Sequence, residues 1–269
     1  MKNLLIGSVM LLLGALHGLT ARADEVTTVA VDPRVASTIE SLEGAPNGKK
    51  TVSWASTTVL PANVGGTMDT QVAHHYLGQY KWGGQMRSVI NGKGSQVMIL
   101  SLCGLVHLAS GTTNKLTVET PVTVPLGSWF FSWGVKSDVT LDNGVRVKRL
   151  VLTADAGNIC NPVANARFSY EVTTEIFFNH KSMFYSSNKA KETVVTWFCE
   201  VGELTPSGEL PFGAAYLPVQ CKRTVPETHQ EVTARYAFLP ELGFYMEMGN
   251  GERTFAQKYR DFRFDLNPQ

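Results

Sequence analysis

The chain has 269 residues, with 24 Lys and Arg against 23 Asp and Glu and a formal net charge of +1. Only 17% of the residues are charged and 43% are apolar, the composition of a folded chain with room for one large β domain or two small ones. So even a charge balance predicts neither a nucleic-acid partner nor attraction to an anionic membrane surface.

At the N-terminus, Lys2 precedes an apolar run from Leu4 to Leu16 that is broken only by small residues and Ser8. Ala21-Arg22-Ala23 then places small residues at the two positions a signal peptidase reads. The expected leader is residues 1–23. Cleavage before Asp24 would leave 246 of the 269 residues and take the formal charge to −1 with the loss of Lys2 and Arg22. The apolar run is short for a bilayer of roughly 20 helical residues, and no later stretch reaches that length. The expectation is an exported protein, periplasmic or extracellular, with no transmembrane segment.

Four cysteines in an oxidising compartment read as a disulfide framework. Proximity favours Cys199 with Cys221 and Cys103 with Cys160. Register complicates the first pair. A tight turn at Pro206-Ser207-Gly208 would set Cys199 opposite a residue near 215, so bonding to Cys221 requires a longer, irregular loop or a different strand order. The absence of any C-x₂-C pair argues against metal binding by these cysteines.

Taken in order, residues 24–31 read as an extended lead-in. Asp32 before Pro33 is a helix start, and Val35, Ile39 and Leu42 form a narrow apolar stripe closed by Gly44, which predicts one helix near 33–43. Strand signals follow: TVSWASTTVL to Pro61, then Tyr76 to Val89 with Tyr80, Trp82 and Met86 at even spacing. Asn91-Gly92 reads as a hairpin turn, and Val97 to Leu108 as one or two buried strands. In KLTVETPVTV, Pro121 predicts an edge or a bulge. WFFSWGVK comes next. VTLDNGVRVKRLVLT is expected to be a hairpin with a type I′ turn at Asn143-Gly144. In ARFSYEVTTEIFF, Phe168, Tyr170, Val172, Thr174, Ile176 and Phe178 should share a buried face, and Arg167, Ser169, Glu171, Thr173 and Glu175 a wet one. VVTWFCEV, AAYLPVQCKR and EVTARYAF are three further strands, the last entering a turn at Leu239-Pro-Glu-Leu-Gly243. RTFAQKYRDFRFDL ends in a closing strand. The predicted fold is all-β: residues 24–269 form a single antiparallel domain of about a dozen strands, an open or closed barrel or strongly curved sheet, with one short N-terminal helix.

Pro211-Phe212-Gly213, Cys221 and Pro240-Glu241-Leu242-Gly243-Phe244 give the last 75 or so residues a resemblance to a loose group of uncharacterised exported bacterial antiparallel β-proteins. In that group a Pro-x-Gly turn opens a strand, and a later strand runs into a Pro-Glu-Leu-Gly-aromatic turn. This chain departs from the pattern at Ala215, where the group has an aromatic. The resemblance implies an envelope compartment and an antiparallel barrel, not a reaction.

The search for chemistry is mostly negative. There is no G-x-S-x-G elbow, zinc-protease helix, phosphate loop or calcium loop. His74 and His75 are adjacent, so on a strand they face opposite ways and cannot share a metal. His107, His180 and His229 stand alone. The basic cluster Arg146, Lys148 and Arg149 reads as a solvated face. Glu171 and Glu175 are the one carboxylate pair on a shared face, with Cα atoms roughly 13 Å apart on an extended strand. The aromatics are more suggestive. Tyr76, Tyr80, Trp82, Trp129, Phe131 and Trp133 lie in two glycine-flanked stretches and are the candidate lining of an apolar or carbohydrate cleft, against the alternative of core filling. The leading expectation is a non-catalytic protein binding an apolar small molecule, lipid or glycan, or an envelope partner. The alternative is a secreted hydrolase with a dispersed carboxylate site. Neither a cofactor nor a metal is expected.

Overall fold

A computed structural model gives the structure of residues 31–59, 67–90, 93–126, 129–155, 158–182, 186–206, 214–225, 230–248 and 260–266, with residues 58–59, 90, 93, 113–126, 129–137, 225 and 260 described by their backbone alone. The expected leader at 1–23 and the Pro211-Phe212-Gly213 turn lie outside these residues.

The helix forms where its capping chemistry is. α1 spans Pro33–Glu40, and the Asp32 carboxylate accepts the Arg34 backbone N–H at 3.0 Å. Val35 and Ile39 are fully buried, and the chain turns away at Gly44, with φ of +74°. The helix is thus shorter than the predicted 33–43, and Leu42 packs on the core from beyond its end.

Twelve strands follow in chain order: β1 (Thr51–Val59), β2 (Thr67–Gly78), β3 (Lys81–Ile90), β4 (Lys93–Leu102), β5 (Val106–Leu126), β6 (Trp129–Ala154), β7 (Arg167–Lys181), β8 (Ser186–Val201), β9 (Leu217–Val225), β10 (Gln230–Leu239), β11 (Phe244–Glu247) and β12 (Arg260–Asp265). All join one antiparallel sheet. β1 to β11 form an unbroken meander, and β12 adds to the outer side of β1. The sheet is open, because β11 and β12 end its ladder without pairing with each other. The all-β architecture and strand number match the expectation. Among the described residues no helix is long and apolar enough to cross a membrane.

The sheet coils so that its last hairpin lies between two cores. β10 and β11 are buried on both faces at their shared end. Phe238 and Tyr245 pack into a core with Val35, Ile39, Tyr80, Leu102, Phe168 and Tyr170. The intervening Ala237, Leu239, Phe244 and Met246 pack into a second core with Val52 and Trp82. Strands covered on both sides lose the apolar–polar alternation, which is why this stretch reads AFLPELGFYM without a polar period. The turn between them needs Gly243 in the left-handed region (φ +66°), and its N–H donates to the Leu239 carbonyl at 2.8 Å. β11 has no separate signal in the sequence.

Backbone bonds tie this hairpin to distant turns. The Tyr245 N–H donates to the Cys103 carbonyl and the Cys103 N–H to the Tyr80 carbonyl, both at 2.7 Å. The Tyr245 hydroxyl donates to the Ile159 carbonyl at 2.6 Å, and complete burial raises this phenol's pKa well above its ordinary value. Both favoured disulfides form, Cys103–Cys160 and Cys199–Cys221. Cys199 and Cys221 are direct cross-strand partners between β8 and β9, with Cα atoms 4.0 Å apart. Beyond that ladder, Thr205 and Tyr216 form a further antiparallel bridge.

Three expectations change. Tyr76 to Val89 is not one strand: Gly78, Gln79 and Tyr80 all take positive φ and split it into β2 and β3. Asn143-Gly144 is not a turn. Both residues lie inside the 26-residue β6, with Thr112 and Gly111 of β5 on one side and Phe178 and Phe177 of β7 on the other. Glycine is needed there for contact, since a Cβ would lie 2.9 Å from the Phe177 ring and also collide with the Ser110 carbonyl. On β7 the burial phase reverses beyond Thr173, with Glu175 buried at 7% exposure and Ile176 exposed at 48%. The next subsection gives the cause.

Candidate functional site

The first core leaves few polar groups unpaired, but the second holds three. Its floor is the inner face of β1 to β4. Register places Val52, His74 and Gly84 in one row across β1, β2 and β3, and Tyr76, Trp82 and Ser101 in the next row across β2 to β4. Residues directly opposite in an antiparallel pair share a face, so these two rows form one continuous patch.

The packing follows from residue size. A Cβ on Gly84 would lie 2.6 Å from His74 Nδ1 and would also meet the Ala73 carbonyl, so the imidazole rests directly on bare backbone. Trp54 and Phe244 flank that imidazole, with ring centroids 5.3 and 5.6 Å from it. Phe244 also meets Trp82 edge-on at 4.7 Å, and Tyr76 lies 5.4 Å from Trp82 on the other side. Phe244 therefore bridges His74 and Trp82 from above the sheet. His74 and Ser101 are 6% and 5% exposed and Trp82 is fully buried, yet His74 Nδ1, Ser101 Oγ and the Trp82 indole N–H have no hydrogen-bond partner among the described residues. A buried polar group without a partner costs roughly 1–3 kcal/mol. Burial, with smaller contributions from His75 and His107, pushes the His74 imidazole down to about 4, so it is neutral at physiological pH. The set comprises an obligate donor (indole N–H), a hydroxyl that donates or accepts, and a neutral imidazole.

The aromatic candidates divide into groups. Tyr76 and Trp82 come together in this cluster. Tyr80 does not join them: its side chain enters the first core, where its hydroxyl donates to the Glu43 carbonyl at 3.0 Å. Trp129, Phe131 and Trp133 sit on the far part of β6, and their side chains lie outside the described residues. His74, Ser101 and Phe244 were not among the lining residues expected from sequence. His74 and His75 do face opposite ways, one buried and one exposed. Among the described residues no three His, Cys, Asp or Glu side chains converge as a metal site.

On the opposite face of the same strands lies an open cleft of 380 Å³ with a mixed polar and apolar lining. Ser53, Ala55 and Ala73 form its small-residue floor, with Gln71, Gln85, Arg87 and Arg263 around it.

The basic cluster is paired rather than merely solvated. Arg146 Nη2 lies 2.6 Å and Lys148 Nζ 3.6 Å from the Glu175 carboxylate, and Lys148 also lies 3.9 Å from Asp32 at the helix cap. Lys148 is the extra residue of a bulge between Val147 and Arg149. These cations cover Glu175 on the face expected to be wet, which explains its burial. Arg149 holds Glu171 at 2.8 Å. Both carboxylates proposed for hydrolysis are thus engaged by guanidinium groups.

No family model, curated protein or solved structure matches this chain.

Proposed function

We propose that the chain is an exported, non-catalytic envelope protein that takes an apolar ligand carrying one polar group, with the cluster around Trp82 as its recognition site. The carrying observation is the trio of unpartnered buried atoms His74 Nδ1, Trp82 Nε1 and Ser101 Oγ inside an aromatic surround. Binding sites for small molecules are largely apolar with a few convergent polar groups, and this cluster has that composition. A ligand hydroxyl or carbonyl could accept from the indole N–H and satisfy groups that otherwise remain costly. Export rests on the predicted leader, and the two disulfides are consistent with an oxidising compartment. The resemblance in the last 75 or so residues belongs to the same reading.

The test is native mass spectrometry of the mature protein before and after incubation with an envelope lipid extract. A bound mass that disappears in Ser101→Ala and Trp82→Phe, both folded by near-ultraviolet circular dichroism, is the expected outcome. The absence of any adduct, or an adduct unchanged in both variants, would remove this site.

A further inference from the structure

β5 and β6 outrun the rest of the sheet. β4 pairs with β5 only from Val106 to Gly111, and β7 pairs with β6 only from Thr140 to Ala154. Among the described residues no third strand pairs with Thr112–Leu126 of β5 or with Trp129–Val139 of β6, and Leu116–Leu126 pairs continuously with Trp129–Val139 to form a two-stranded ribbon. At about 3.3 Å a residue, the ribbon extends about 36 Å from the sheet.

Its register sorts the sequence. Val122 is opposite Trp133, Val124 opposite Phe131 and Leu126 opposite Trp129, and all six occupy positions of one face. No charged residue occurs on that face from Leu116 to Leu126 or from Trp129 to Val139. The opposite face carries Lys115, Glu119, Lys136 and Asp138, with Glu119 directly across from Lys136. The ribbon is therefore amphipathic, uncharged on one face and charge-balanced on the other, with its aromatic residues at the distal end.

We infer that this ribbon is a membrane-docking element that lays its apolar face into the interface of a lipid bilayer. An uncharged face suits the acyl boundary, and the balanced lysines and acids suit zwitterionic headgroups. Tryptophan is also enriched at that depth. A second copy of the chain fits less well. A two-stranded face about 10 Å wide and about 36 Å long offers about 360 Å², against about 800 Å² per partner in a stable interface. Pro121 and Pro125 remove backbone donors from β5, a device that blunts edge-to-edge pairing. Full insertion by one copy is excluded by the same edges, whose free N–H and C=O groups would be unsatisfied in hydrocarbon. The ribbon therefore lies in the interface rather than crossing the bilayer. This inference rests on the reading of an envelope protein but concerns a surface distinct from the Trp82 cluster.

The test is flotation of the mature protein with phosphatidylcholine vesicles, with and without phosphatidylglycerol, at low and high salt. Wild type should float equally under all four conditions. Paired charges on the apolar face, Val122→Asp with Phe131→Asp, should lower partitioning roughly tenfold or more, whereas Thr123→Asp with Ser132→Asp on the other face should leave it unchanged. As a check independent of those variants, an environment-sensitive dye on Val124→Cys should shift to the blue with vesicles and one on Thr123→Cys should not. Wild type failing to float, both charge pairs behaving alike, or a vesicle-free dimer broken by the apolar-face pair would each overturn the inference, the last in favour of a second copy. Ligand capture at Trp82 is measured without vesicles, so the two readings fail separately.

Discussion

At the scale of single residues, the tightest constraint in the second core is the absence of a side chain. Gly84 has the His74 imidazole resting on it, and a methyl group there would displace both the ring and the Ala73 backbone. Gly84→Ala is expected to cost about 2 kcal/mol and to lower the melting temperature by roughly 5 °C, read by differential scanning calorimetry. His74 makes a second prediction. Its folded pKa is depressed to about 4 from an unfolded value of 6.5, mainly by burial. The unfolded chain therefore binds the extra proton first as pH falls. The stability tied to a neutral His74 is complete above pH 6.5 and is lost progressively down to about 4. Between pH 7 and pH 5 this amounts to about 2 kcal/mol. Denaturant titrations at the two pH values should show wild type losing that much more than His74→Phe, and parallel losses would contradict the assignment.

At the scale of elements, the β8–β9 junction is a weak ladder made strong by a covalent bond. Only Phe198 to Val201 pair with β9, and Cys199–Cys221 lies within that stretch. Replacing both cysteines with serine should cost about 3 kcal/mol for the 22-residue separation, and opening Cys103–Cys160 about 4 kcal/mol for its separation of 57. Both are measurable by urea unfolding. At β6–β7 the cost is electrostatic. Glu175→Gln leaves Arg146 and Lys148 facing a neutral group and should destabilise the fold by roughly 1–3 kcal/mol, also by urea unfolding. What could be read from sequence at this scale depended on how local the cause was. The helix start at Asp32-Pro33 and the turn at Leu239 to Gly243 were legible because their hydrogen bonds are made within a few residues. The disulfide pairing was legible by proximity. Asn143-Gly144 misled because its two edges are filled by β5 and β7, strands whose arrival no local pattern reports. The burial of Glu175 was hidden for the same reason, since Arg146 and Lys148 reach it from another strand and Asp32, at the helix cap, holds Lys148 from a third place in the chain. In the candidate site, Tyr76 and Trp82 were visible as aromatics. Ser101 and Phe244 acquire meaning only from the coiling of the sheet.

At the scale of the whole molecule, one sheet contains regions of unequal support. The centre of β7 is paired on both sides, by β6 and β8, and packs on the first core. Among the described residues, the β5–β6 ribbon has no third strand along its outer length. Amide hydrogen exchange should therefore show Leu116 to Leu126 exchanging by local opening, well ahead of Phe168 to Val172, which should exchange only with global unfolding. Equal protection in the two segments would show that something else covers the ribbon.

The hairpin of β10 and β11 sets the order in which the chain can become a protein. Its residues are made late, yet they occupy the space between surfaces supplied by strands made early. Val52, Trp82 and Leu102 cannot bury their apolar faces until residues more than a hundred positions downstream have emerged, so closure of such distant contacts is slow and cannot proceed by completing one core at a time. The two cores share the hairpin and should be gained and lost together. A chain truncated before Gln230 should therefore remain aggregation-prone however much of the meander it contains.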